Sequence, residues 1–299
     1  MSDFVIITDS SSDINKDFRE KYGIECIPIR FFYKDKEYNA DPDWTAVPIK
    51  EFYDYLREGN RITTSQISVP ACTETFEKVL QSGKDILSIS CTGVLSSTVN
   101  VCYHVRDELQ PKYPERKIIC IDSTCASAGL GILCIKAGQL QQEGKSLEQV
   151  AEWVENNKKF INQEGSVDKL SYLRQAGRVS AAAAFFGGLL NIKPLIISDV
   201  HGYNVAIEKV KGRKASVIRT AERVAENYTG IDYPYIFIHH TDCEETANEV
   251  KNEILSRLNV KAEDIYIGNV NASMGASVGP GMFGVYFMGK EVTYDSKEK

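Results

Sequence analysis

Short apolar runs recur along this chain, each ending in hydroxyl or carboxylate residues and followed by a stretch with helical spacing. Phe4 to Thr8 is a β-branched run of the kind that fills a covered parallel strand. It ends in Asp9-Ser10-Ser11-Ser12-Asp13, which predicts the cap of a helix stopping at Gly23. Ile24 to Tyr33 returns as a strand, Lys34 to Lys36 forms a charged turn, and Pro48 and Gly59 open and close the next helix. A hydroxyl-rich loop, Arg61-Ile62-Thr63-Thr64-Ser65-Gln66, leads into a helix from near Pro70 to near Gly83. Ile86 to Ile89 is again a strand, Ser90 to Thr98 a polar turn, and Val99 begins an amphipathic run. Lys117 to Ile121 is a further strand, ending in Asp122-Ser123. Strands alternating with helices in this way predict a parallel α/β sheet, whose ligands sit beyond the carboxyl ends of the strands.

The pattern changes after helices covering roughly Ala126 to Asn157. Ser166 to Leu170 reads as a strand, and Tyr172 to Arg178 leads into VSAAAAFFGGLLNI, a helix of Ala and Gly flanked by Phe185, Phe186, Leu189 and Leu190. Its span from Ala181 to Leu190 either packs closely on a neighbour or leaves room for a long apolar ligand. A hairpin follows, Lys193 to Ser198 and Asn204 to Lys209, then a helix Ala215 to Tyr228, a strand Tyr235 to His239, a helix Glu244 to Leu258 and a strand Asp264 to Val270. Ala272 to Gly281, ASMGASVGPG, carries too many glycines for a helix on this reading and stands as a loop before the last strand, Phe283 to Met288. The fold expected is α/β in two domains: a parallel α/β domain over 1–160, a mixed, largely antiparallel α+β domain over 161–290 with the ligand at their junction, and a polar tail over 291–299.

Composition narrows the function classes. With 299 residues and 43% hydrophobic content the chain can bury a large core, and its net charge of -6 argues against nucleic acid as the main partner. The opening MSDFVIITDS is too short and acidic for a signal peptide, and no apolar run spans a membrane, so the expected compartment is the cytoplasm. The eight cysteines fall mostly in apolar patterns and read as buried thiols. No metal site is suggested: no Cys-x-x-Cys occurs, and His239 and His240 would point to opposite sides of a strand.

The candidate chemistry centres on Asp85 to Asn100, DILSISCTGVLSSTVN. A buried strand, a tight hydroxyl-rich turn and the first turn of a helix gather backbone N–H groups and the positive end of a helix dipole, which can hold a carboxylate or phosphate. The same residues are also open to a bland role, with Ser96 or Ser97 capping the helix and Gly93 relieving the turn.

In their order and spacing, several pieces of the chain resemble the DegV family of bacterial fatty-acid-binding proteins: Thr8-Asp9-Ser10, Thr63-Thr64-Ser65-Gln66, the Ser90 to Thr98 turn, Asp122-Ser123, Leu170 to Arg178, Lys193-Pro194 and Gly279-Pro280-Gly281. The resemblance implies a non-enzymatic two-domain protein that needs no cofactor and holds one long-chain fatty acid, carboxylate at the domain junction and tail in the C-terminal domain. It also implies that some members hand this carboxylate to a separate ATP-dependent kinase subunit. Carried over, the carboxylate contacts fall on Thr63, Thr64, Thr92, Gly93, Ser96 and Arg178. Two positions depart from the family pattern: Ser97 where a glycine is usual, and Ser277 where a histidine is usual. Serine donates a hydrogen bond but carries no charge. The basic run Lys209, Lys211, Arg213, Lys214 is the candidate docking surface for an acidic partner, or else a solvated turn.

Two other classes compete. A serine hydrolase would use Ser96 as nucleophile with His239 or His240 and Asp242, although the Gly-x-Ser-x-Gly elbow is missing and His104 and His201 read as surface or turn residues. A module for a phosphorylated metabolite would use the same turn, without a Walker lysine or a Gly-x-Gly-x-x-Gly run.

Overall fold

The structure, a computed structural model, describes residues 3–179, 191–231 and 233–298. The expected helix between Ala181 and Leu190 lies outside the described residues. Three sheets organise the rest. The first is parallel, in the order β2 (Ile24–Ile27), β1 (Phe4–Asp9), β6 (Asp85–Ser90), β7 (Ile118–Asp122). Its central strands β1 and β6 are largely apolar on both faces because both are covered. Ile7 and Ile86 pack on α3 (Val69–Gln81) and α4 (Thr98–Leu109), while Ile6, Leu87 and Ile89 pack toward α5 (Ala128–Gln142) and α6 (Leu147–Asn157).

The second sheet is mixed, ordered β10 (Asn204–Lys211), β9 (Ile192–Ser198), β8 (Ile161–Ser166), β13 (Phe283–Met288), β11 (Ile236–His240), β12 (Ile265–Asn269). Every pair is antiparallel except β11 with β12, which are joined by the crossover helix α9 (Glu244–Leu255). Helix α5 lies between the two sheets and is buried nearly all round. One core cluster therefore runs from Phe4 through α5 to Tyr286 and Met288. The close approach requires small residues: a Cβ on Gly138 would lie 2.5 Å from Cβ of Tyr22.

The third sheet was not foreseen. The run Ile24 to Tyr33 is two strands, because Pro28 has no N–H to continue the ladder and the chain leaves the parallel sheet there. Its second half, β3 (Ile29–Tyr33), pairs antiparallel with β4 (Lys36–Ala40) on one side and β5 (Thr63–Ser65) on the other. Helix α2 (Ile49–Arg57) packs its buried Phe52, Tyr53 and Leu56 against this small sheet.

Two further expectations are corrected. The strand placed at Ser166 to Leu170 is β8, Ile161–Ser166, and Leu170–Ala176 is a helix, α7. β8 carries no apolar alternation because it buries a charge pair: Glu164 accepts two hydrogen bonds from Arg223 of α8 (Arg213–Asn227), at 2.6 and 3.0 Å. The glycine-rich loop at 272 is in part a helix, α10 (Ala272–Val278). Glycine costs a helix about 1 kcal/mol of propensity, and here packing and a cap offset it. Asn271 accepts from the N–H groups of Ser273 and Met274, while Ala272 and Ala276 are buried against α2 and the small sheet. A Cβ on Gly275 would lie 2.3 Å from the Tyr53 hydroxyl, so only glycine seats the helix so closely. Beyond β13 the chain runs back over the protein: Val292 N–H donates to Lys159, His201 pairs with Asp295 at 3.2 Å, and Ser296 with Asp199. Among the described residues no helix is long and apolar enough to cross a membrane.

Candidate functional site

A polar cleft forms where the small sheet, the turn after β6, the end of α7 and α10 converge. β5 is held as an edge strand by Phe31 pairing with Thr64, and this presents Thr64 and Ser65 to the cleft. Ser96 and Ser97 come from the turn, Ser273 and Ser277 from one face of α10, and Arg178 from just beyond the left-handed Gly177 that ends α7. The space is about 90 Å³ between these groups and continues outward as a cleft of about 190 Å³ lined by Thr63, Thr64, Arg61, Tyr172, Arg178 and Ser277. Among the described residues lining the inner part, Arg178 is the one that is charged. Its Nε donates to the carbonyl of Leu95 at 3.0 Å, which ties the guanidinium to the Ser96 turn. The Ser96 hydroxyl donates to Thr98 Oγ1 at 3.0 Å and accepts from the Thr98 N–H at 3.3 Å. A hydroxyl hydrogen rotates, so Ser96 can also donate into the cleft.

Five of the residues singled out in the sequence thus meet: Thr63, Thr64, Ser96, Arg178 and Ser277. Thr92 and Gly93 do not join them. Thr92 is buried beside Gly202, its hydroxyl 3.5 Å from the carbonyl of His201. The turn expected to offer unpaired N–H groups has most of them paired internally. Cys91 N–H donates to Asp9 at 2.9 Å, Gly93 N–H to Asp122 at 3.0 Å, and Thr92 N–H to the Cys125 carbonyl at 2.9 Å. Parallel neighbours place the carboxylates that end β1 and β7 one strand spacing from the end of β6, so the polar rim is mainly a lock between strand ends. Burial pushes the Asp9 carboxyl above its ordinary range, against the opposing pull of the Cys91 and Ser11 hydrogen bonds.

Sequence reasoning missed Ser11, Ser65, Gln66, Asn204 and Ser273 as lining residues. Gln66 and Ser65 were within a stretch already noticed, but Ser273 was hidden by the reading of α10 as a loop. It also missed what sits under the cleft. Leu173, Asn204, Met274 and Val278 form its inner wall and at the same time the mouth of an apolar cavity. That cavity, about 30 Å³, runs between the mixed sheet, α7, α10 and the residues just before α5, and is walled by Val167, Ile196, Val270, Met282, Phe283 and Tyr286. Two of its residues, Met274 and Met282, are flexible thioethers that repack at low cost.

The remaining candidate residues fall elsewhere. Lys209, Lys211 and Lys214 are exposed around the turn from β10 to α8, but Arg213 is turned inward. It donates to Asp168 at 3.0 Å and to the Gly281 carbonyl at 2.7 Å, over the ring of Phe283. His239 and His240 are both buried in β11, and neither lines the Ser96 cleft: His239 lies near Asp13, and His240 accepts from Cys243 N–H at 3.4 Å. Asp242 pairs with Arg57 at 2.6 Å. Five cysteines are buried and Cys26, Cys120 and Cys243 are half-buried. Among the described residues no group of three or more His, Cys, Asp or Glu is placed to hold a metal ion.

The family model described as "Uncharacterised protein, DegV family" matches residues 3–290. A DegV domain-containing protein of Clostridium perfringens is 34% identical over 298 residues, which is 100% of both chains. Among solved structures, a DegV family protein from Thermus thermophilus described by its fatty acid binding is 26% identical, with a TM-score of 0.83 over 96% of this chain and 100% of its own. DegV from Bacillus subtilis, described as a fatty acid binding protein, is 25% identical, with a TM-score of 0.79 over 97% of this chain and 100% of its own.

Proposed function

The chain belongs to the DegV family, and on that premise we propose that it binds a long-chain fatty acid, with the carboxylate in the polar cleft and the tail entering through the apolar cavity beneath it, which widens from about 30 Å³ as Met274 and Met282 repack. The observation that carries this reading is the continuity of the two spaces through Leu173, Asn204, Met274 and Val278. A polar mouth over an apolar floor suits a molecule with one charged end. In this reading Thr64, Ser96 and Ser277 donate hydroxyl hydrogen bonds to the carboxylate, Arg178 supplies the opposite charge, and Thr63 stands at the outer rim. The fatty acids bound by the Thermus thermophilus and Bacillus subtilis proteins support the ligand class.

The division of labour follows from magnitudes. Each buried CH₂ contributes about 0.8 kcal/mol, so a sixteen-carbon tail provides on the order of 10 kcal/mol before ordering costs. The tail sets affinity, and the cleft sets orientation by charge-assisted hydrogen bonds. In the same reading the bound carboxylate is presented to a separate ATP-dependent kinase subunit, which docks on the exposed Lys209, Lys211 and Lys214. Native mass spectrometry of the protein after bacterial expression tests the ligand class. A bound species of fatty-acid mass, released on denaturation, is the expected result. A phosphate ester in its place, or hydrolysis of acyl esters that depends on Ser96, overturns it.

A further inference from the structure

The cavity beneath the cleft is not apolar throughout. Gln163 of β8 and Asn204 of β10 both line it, and Gln163 Nε2 donates to Asn204 Oδ1 at 3.0 Å across the strand β9 that separates them. Asn204 also lines the polar cleft, and its Nδ2 donates to the carbonyl of Arg178 at 3.2 Å. The amide pair therefore stands at the neck between the two spaces, linked through hydrogen bonds to the main chain of the cleft arginine.

The orientation of both amides follows from Arg178. A carbonyl only accepts, so Asn204 turns its NH₂ group toward Arg178 and its oxygen toward Gln163. Gln163 answers with its own NH₂, which leaves its Oε1 without a donor among the described residues. Gln163 is half-buried, and Oε1 keeps accessible surface instead of joining the sealed, unpaired polar atoms of the core. The other polar side chains of the wall are occupied. Ser127 Oγ donates to Asp13 at 2.5 Å, Ser166 Oγ donates to the Pro194 carbonyl at 2.9 Å, and the Tyr286 hydroxyl pairs with Ser127. A wall otherwise made of residues such as Leu173, Ile196 and Val278 thus carries one open acceptor at its neck. An unsubstituted acyl chain laid against Oε1 takes water from it and returns no hydrogen bond, whereas a hydroxyl on the chain donates to it.

We propose that the cavity selects fatty acids that carry a hydroxyl close to the carboxylate, of the 3-hydroxy class, with Gln163 Oε1 as the acceptor. This rests on the fatty-acid reading and adds the substrate class to it. The position along the chain follows from the place of the pair: Asn204 borders the cleft that holds the carboxylate, so Gln163 meets the carbons next to the head group and not the far end of the tail. A site built to hydrogen-bond a hydroxyl discriminates against the analogue lacking it, because the acceptor is then left buried and unpaired.

The test titrates the delipidated full-length protein by calorimetry with palmitate, each enantiomer of 3-hydroxypalmitate, and ω-hydroxypalmitate. One enantiomer of the 3-hydroxy acid binds about tenfold more tightly than palmitate. The ω-hydroxy acid binds no more tightly than palmitate, because its hydroxyl lies at the other end of the chain. Gln163→Met keeps an unbranched side chain of similar length and removes the acceptor, so the ratio between the 3-hydroxy acid and palmitate falls to within about twofold of one. The comparison of acids on the wild-type protein decides the matter if that variant does not fold. Equal binding of palmitate and both 3-hydroxy enantiomers, an equal gain for the ω-hydroxy acid, or a 3-hydroxy preference that survives in folded Gln163→Met overturns the proposal while the fatty-acid reading holds, with water then satisfying Gln163. Binding of none of these acids overturns both.

Discussion

Thr64→Val isolates the proposed head-group contact. Valine keeps the β-branched shape that suits strand β5, and the backbone pairing of residue 64 with Phe31 is untouched. What disappears is one hydroxyl facing both the inner and the outer part of the cleft. A hydrogen bond to a charged group is worth about 1.5 to 3 kcal/mol. Thr64 is only half-buried, so the lower end applies, and about 1.4 kcal/mol corresponds to a tenfold loss of affinity. Ser96→Ala is a less clean probe because Ser96 also bonds Thr98 at the start of α4, so its loss carries a stability cost of about 0.5 to 2 kcal/mol. The assay is calorimetric titration of delipidated protein with acids of two chain lengths, with circular dichroism as the folding control. A head-group contact lowers affinity by the same factor for both acids, because the tail is untouched. Arg178→Met in parallel removes the charge and the bond to Leu95, and lowers affinity by at least as much. Affinity of Thr64→Val within twofold of wild type for both acids, with an unchanged spectrum, would refute the placement of the carboxylate.

Further outcomes follow from the same contacts. Val167→Phe fills part of the apolar cavity, so the longest acid bound shortens while short acids bind as before; equal losses for both would place the tail elsewhere. Gly275→Val drives a side chain into the Tyr53 hydroxyl and costs about 1 to 3 kcal/mol of stability, read as a lower urea midpoint at constant slope. If the proposed kinase subunit docks there, Lys211→Glu with Lys214→Glu leaves fatty-acid binding and thermal midpoint unchanged but slows acyl phosphate formation, as high salt does, whereas Arg213→Ala lowers the midpoint by releasing Asp168 and Gly281; full turnover of the double variant at low salt would remove the proposed docking role. Because burial raises the Asp9 carboxyl above its ordinary value of 3.8, the native state holds that proton more tightly than the unfolded chain. Its contribution is full below 3.8 and is lost as pH rises through the raised value, so urea stability of wild type relative to Asp9→Asn falls across that window; a rise would contradict the sign.

Much of the fold was legible because it is local. β1 and β7 carry uninterrupted apolar runs and β6 one broken only by Ser88, and their connecting helices carry caps and glycine stops that need no partner to be recognised. The hydroxyl loop at Thr63 and the turn at Ser96 were legible as polar interruptions of that pattern. β8 was not, since Asn162, Gln163 and Glu164 look like surface residues until Arg223 arrives from 59 residues away to pair with Glu164. α10 was not, since its stability comes from α2 and the small sheet rather than from its own propensities.

The sequence by itself determined the α/β alternation, the change to a mixed sheet in the second half, the family, and which loops carry hydroxyls. Each is a property of neighbouring residues or of a short period along the chain. Only the tertiary structure decided that Pro28 sends the chain into a third sheet, that Asp9 and Asp122 occupy the N–H groups of Cys91 and Gly93, and that Arg213 faces inward. It also decided that α10 brings Ser273 and Ser277 opposite Thr64, more than 200 residues earlier in the chain. These depend on which distant groups compete for the same donor or the same space, and that competition is settled by burial, where an unpaired polar group costs more than any local preference provides.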